Sequence, residues 1–191
     1  IHPTEAIVSI RVARDAFREV FRAAGRELPA EGLAALINSK AGLFERIVQQ
    51  GVTAYPGVIS LISELKGAVP LALCSGALRS DILPILDSMA IRDAFDVLVT
   101  ADDVTESKPD PQSYILAVQR LSESFPDRNI TADCCIAIED TPSGIASATM
   151  AGVSVLAVTN SYDAGNLEGT VHVTNSLESV TMELLGKLIG R

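Results

Sequence analysis

From Pro56 to the end of the chain, short apolar runs alternate with amphipathic stretches. Val58 to Lys66 carries apolar residues at helical spacing and leads into the run Val69-Pro70-Leu71-Ala72-Leu73-Cys74, which predicts a strand. The alternation continues with a helix over Arg79 to Met89, a strand over Phe95 to Val99 and a helix over Gln112 to Ser122. A strand from Cys134 to Ile138 follows, with a helix after Pro142 that is closed by Gly152. Val153 to Val158, a short helix near Ala164, an edge-like Val171-His172-Val173 and a helix from about Leu177 to Leu188 complete the pattern. Strands that are apolar throughout, each followed by a helix, predict an α/β fold: a Rossmann-like parallel sheet with helices on both faces.

The first 55 residues follow a different rule. Thr4 to Ala24 places Ile7, Ile10, Phe17, Val20, Phe21 and Ala24 at helical spacing, with Arg11, Arg14, Arg18 and Arg22 on another side. Its opening residues, Ala6 to Val12, are β-branched enough to be read as a strand as well, and both readings stand. A second helix is predicted from about Glu31 to Gln50, stopped by Gly51. Two helices with no strand between them form a partial all-helical cap over residues 1–55, and Tyr55-Pro56-Gly57 is the hinge into the core of residues 56–191.

Composition narrows the function. With 191 residues, 48% of them hydrophobic, the chain buries a full core. A formal net charge of −9 argues against a nucleic-acid partner, because phosphate backbones are bound by surplus Lys and Arg. An anionic small substrate then needs a local positive site. No apolar run approaches membrane-spanning length, so no membrane partner is expected. The three cysteines show no CxxC spacing and two are adjacent, as expected of small core residues in a reduced, cytoplasmic protein. The chain begins with Ile1, which leaves open a targeting signal ahead of it. Oligomeric state is not legible.

In open α/β sheets ligands bind beyond the carboxyl ends of the strands. The residues there are Ser75-Gly76-Ala77, Thr100-Ala101-Asp102-Asp103, Glu139-Asp140 and Thr159-Asn160-Ser161. Ser75 and the N–H groups of Gly76 and Ala77 make an anion seat, although Ser-Gly after a strand is also ordinary turn chemistry. Lys108, between Ser107 and the stiff Pro109-Asp110-Pro111, can neutralise a phosphate and a nearby carboxylate together. Glu139 and Asp140 stand side by side at the end of an apolar strand, where they either hold a cation or cap the helix that follows.

Taken together and in this order, these stretches resemble the haloacid dehalogenase superfamily of phosphatases and phosphomutases, in the helical-cap subgroup that includes β-phosphoglucomutase and phosphoglycolate phosphatase. Leu73-Cys74-Ser75-Gly76 matches the second family motif, Ser107-Lys108-Pro109-Asp110-Pro111 the third, and Ile138-Glu139-Asp140-Thr141-Pro142-Ser143-Gly144-Ile145 the fourth. The resemblance implies a Mg2+-dependent phosphatase acting on a small phosphorylated metabolite through an aspartyl-phosphate, with a phosphosugar mutase or a non-catalytic phosphate- and Mg2+-binding fragment as alternatives. It implies that Ser75 and Lys108 are catalytic, that Ser75, Gly76, Ala77 and Lys108 hold the phosphate, and that Asp140 binds Mg2+, with Glu139 reaching the ion directly or through water. One motif is missing. The family's opening strand ends in Asp-x-Asp, and no Asp-x-Asp occurs in this sequence. Either that segment lies ahead of Ile1, or Glu5-Ala6-Ile7-Val8 is a remnant of its strand. The chain by itself is therefore expected to be inactive, with a gap near the centre of its sheet.

Overall fold

A computed structural model of the chain describes residues 52–189, together with Gly25, Arg26, Pro29 and Gly32. The two cap helices predicted over Thr4–Ala24 and Glu31–Gln50, and the strand reading of Glu5–Val8, lie outside the described residues. Gly57 turns the chain into the first described helix with φ of +85°. A side chain there would meet backbone, because a Cβ on Gly57 would sit 2.2 Å from the Glu178 nitrogen.

The helices α1 (Val58–Leu65), α2 (Arg79–Ser88), α3 (Gln112–Ser124), α4 (Pro142–Met150) and α5 (Met182–Leu188) alternate with the strands β1 (Ala72–Cys74), β2 (Val97–Val99), β3 (Ile136–Glu139), β4 (Ser154–Val158) and β5 (His172–Thr174). Each helix buries one stripe: Leu61 and Leu65 in α1, Ile82 and Leu86 in α2, and Tyr114, Ala117 and Leu121 in α3. Side-chain caps begin the last two helices. Thr141 accepts from the Gly144 N–H ahead of Pro142, and Thr181 accepts from the Leu184 N–H.

All strand pairs are parallel. β1 pairs with β2, while β4 lies between β3 and β5. Val155, Leu156 and Ala157 of β4 are at most 1% exposed, so this strand is covered on both faces. Among the described residues β1 and β3 share no ladder. A cavity of about 490 Å³ lies between them, lined by Leu71, Leu73, Ile136, Ile138, Leu61 and Tyr114 among others. This is the central gap expected for a sheet lacking its opening strand.

Several predicted boundaries shift for local reasons. The first strand is shorter than its apolar run because the Leu71 N–H is taken by the Asp96 carboxylate at 2.8 Å, so the regular ladder starts at Ala72 opposite Val97. Cys134, expected at the start of a strand, instead closes a 3₁₀ turn, Ala132–Cys134, in which its Sγ accepts the Thr131 N–H. The closing helix is split into a 3₁₀ turn, Leu177–Ser179, and α5.

Candidate functional site

Parallel strands bring their carboxyl ends to one edge, and the loops there are stitched to each other by named bonds. The loop after β1 bonds to the loop after β2: Ala101 N–H donates to the Ala77 carbonyl at 2.9 Å, and Arg79 N–H donates to the Asp102 carboxylate at 2.7 Å. Asp102 thereby satisfies an otherwise orphaned N–H at the start of α2. Asp103 binds both Arg79 and Arg120, at 2.8 and 2.9 Å, and accepts from the N–H and hydroxyl of Thr100. Burial alone would raise the Asp103 carboxyl, but the Thr100 bonds and Arg120 outweigh it and hold the group down at about 2.

Ser75 lies just past β1, with its N–H donating to the Val99 carbonyl at 2.9 Å. Its Oγ accepts the Ala77 N–H at 3.1 Å, which leaves the hydroxyl proton to be donated elsewhere. The Ala77 N–H is thus occupied by Ser75, while the Gly76 N–H has no partner among the described residues.

Lys108 comes from the loop after β2 and reaches across the gap. Its Nζ donates to the Cys74 carbonyl at 3.2 Å, at the end of β1, and forms an ion pair with Glu139 Oε1, at the end of β3. The pair is well shielded, with side-chain exposures of 16% and 9%. The same Oε1 accepts from the Tyr114 hydroxyl at 2.5 Å, and the Lys108 ammonium lies 4.9 Å from the Tyr114 ring centre. Burial, then the charge of Glu139, pushes the Tyr114 hydroxyl well above its ordinary value of 10, so it serves as a donor. Gly144 completes the enclosure: a Cβ there would fall 1.9 Å from Glu139 Oε2.

Asp140 is half-buried beyond β3 and accepts from the Ser161 hydroxyl at 2.5 Å, which ties the loop after β4 to this edge. The edge therefore holds Ser75, Lys108, Glu139 and Asp140 on consecutive loops. Sequence reasoning did not find Tyr114, Ser161 or the roles of Arg79, Asp103 and Arg120. The adjacent acids Asp102-Asp103 at a strand end were the available signal for the last group.

The oxygen donors here are hard ligands, suited to Mg2+ and not to Zn2+. Among the described residues no cluster of three or more His, Cys, Asp or Glu side chains is assembled for a metal. A Mg2+ shared with a phosphate ester needs only one or two carboxylates, the rest of its shell being phosphate oxygens and water, so Asp140 and its neighbours fit that ion. Cys74 is no substitute nucleophile, because burial pushes its thiol up to about 12, with Lys108 opposing and Glu139 adding to the shift. Among the described residues no helix is long and apolar enough to cross a membrane.

The comparisons with known proteins agree with this geometry. A model of the haloacid dehalogenase-like hydrolase family matches residues 5–152. A haloacid dehalogenase-like hydrolase domain-containing protein of Arabidopsis thaliana is 34% identical over 156 residues, covering 78% of this chain and 47% of that protein. Hexitol phosphatase A of Escherichia coli is 34% identical over 137 residues, covering 70% of this chain and 58% of that protein. The matches thus span about half the length of these curated relatives. The fold resembles that of β-phosphoglucomutase from Clostridium difficile, with a TM-score of 0.79 and 19% identity over 98% of this chain and 79% of that one. With most of its length matched by the family model and its strand-end residues gathered at one edge, the chain belongs to the haloacid dehalogenase-like hydrolase family.

Proposed function

We propose that these residues supply the phosphate- and metal-binding half of a Mg2+-dependent phosphatase acting on a small phosphorylated metabolite. The observation that carries this reading is the position of Lys108 Nζ, bonded at once to the end of β1 beside Ser75 and to the end of β3 beside Asp140. An ammonium has three N–H groups, and two are spent on the Cys74 carbonyl and Glu139. The third is available to a phosphoryl oxygen. Ser75 donates its hydroxyl proton, and Gly76 its N–H, to the other oxygens. These donors are fixed before the substrate arrives, so they cost no reorganisation when charge develops.

Mg2+ would be held by Asp140, oriented by Ser161, and would neutralise negative charge on the transferring group. Glu139 is tied down by Lys108 and Tyr114, so its contribution is to hold Lys108 in place. The nucleophilic carboxylate that the family uses is not among these 191 residues, which contain no Asp-x-Asp pair. That a relative at 34% identity is named a hexitol phosphatase supports a small phosphorylated substrate.

The test uses a form of the chain that also carries an Asp-x-Asp strand. Phosphate release from sugar and polyol phosphates should require Mg2+, and Asp140→Asn should reduce both the rate and the Mg2+ response by orders of magnitude. An Asp140→Asn variant within a few-fold of its parent, with the same Mg2+ response, rules out the assignment.

A further inference from the structure

Tyr114 sits in α3, six residues after Lys108, where helical periodicity asks only for an apolar side chain. A Phe would fill the space among Ala137, Ile145 and Val155 equally well. The hydroxyl therefore needs its own explanation. It donates to Glu139 Oε1, the same oxygen that Lys108 engages, while the ring lies beneath the Lys108 ammonium. Glu139 ends a strand, and with Lys108 as its only partner a flexible carboxylate would let both charges move together. A second donor from a helix fixes the carboxylate, and through it the lysine.

We propose that Tyr114 is a positioning residue for Lys108: its hydroxyl locks Glu139 in the orientation that Lys108 follows, and its ring supports the ammonium so that one N–H stays directed to a bound phosphoryl group. This rests on the anion-site reading given above. Tyr114 is a neutral donor, so it steadies Glu139 without competing for the anion. It acts through Lys108, and it has no part in holding the cation at Asp140.

The experiment is calorimetric titration of residues 1–191 with tungstate, a phosphate mimic, in the wild type and in Tyr114→Phe, Lys108→Ala and the double variant. Tyr114→Phe keeps the ring and removes only the hydroxyl, and it should weaken tungstate binding about tenfold, the lower end of what losing an outer-shell partner costs. In the Lys108→Ala background the same change should have no further effect, whereas a merely structural role would lower affinity in both backgrounds alike. Tyr114→Leu, which also removes the ring, should weaken tungstate binding more than Tyr114→Phe. Mg2+ affinity should stay within twofold in Tyr114→Phe. If the wild type binds tungstate, Lys108→Ala loses it and Tyr114→Phe does not change it, the role of Tyr114 is refuted and the anion site stands. No tungstate binding by the wild type, or equal binding by Lys108→Ala, overturns both.

Discussion

Gly144→Ala tests whether Glu139 is locked as the structure shows. The added Cβ would lie 1.9 Å from Glu139 Oε2, 2.2 Å from its Cδ and 2.6 Å from Oε1. Ordinary contact is near 3.5 Å, so the carboxylate must retreat by about 1.5 Å. A free surface carboxylate would do so at little cost. This one is 8% exposed and bound by Lys108 and Tyr114 through the oxygen that has to move. Separating a buried ion pair costs about 3–5 kcal/mol. Against this, Ala is favoured over Gly in a helix by up to about 1 kcal/mol, and less here because Gly144 is the third residue of α4. The net expectation is destabilisation of about 2–4 kcal/mol, read as a lower urea midpoint at pH 7 with an unchanged slope. In a Glu139→Ala background the obstacle is gone, and Gly144→Ala should be neutral or slightly stabilising. A Gly144→Ala variant as stable as wild type, or one that loses the same amount in both backgrounds, refutes the reasoning.

Three further outcomes follow from the same geometry. Gly57→Ala should cost about 3 kcal/mol by urea unfolding, because φ of +85° strains any side chain and the Cβ would press on the Leu177–Glu178 backbone, which cannot step aside as a side chain can. Asp103, held at about 2 against an ordinary 3.8, contributes stability that is complete above pH 4 and lost as pH falls towards 2; with its arginines partly exposed the contribution is about 1–2 kcal/mol, so Asp103→Asn should unfold more easily than wild type at pH 7 and equally at pH 2. Residues 1–191 should release no phosphate from an aryl phosphate with Mg2+ present, since Cys74 is protonated and His172 is on β5, separated from β3 by β4; turnover abolished by Asp140→Asn would reveal a nucleophile in this chain.

The order of strands and helices was legible because each strand is apolar throughout and each helix carries a stripe, as Val153–Val158 and the face of Tyr114, Ala117 and Leu121 illustrate. Boundaries were less so where a side chain replaces a backbone partner: Asp96 delays β1 and the Thr131–Cys134 turn delays β3, and neither leaves a trace in hydrophobic periodicity. The site's residue types stood out at the strand ends, and the structure gathers them at one edge. What composition could not tell was which acid pairs with which cation. Glu139 and Asp140 are neighbours in sequence, yet one is enclosed by Lys108, Tyr114 and Gly144, and the other lies against Ser161. Tyr114 was invisible because its apolar ring satisfies the helix pattern and conceals the use of its hydroxyl.

The central claim is that Lys108 and Ser75 form a phosphoryl seat at the edge that also carries Asp140. Tungstate titrations of the wild type, Ser75→Ala and Lys108→Ala test it most directly. A charge-assisted contact is roughly twice as strong as a neutral one, so Lys108→Ala should lose clearly more affinity than Ser75→Ala, and Mg2+ should tighten binding in all but an added Asp140→Asn control. Equal tungstate affinity in the wild type and Lys108→Ala would contradict the account.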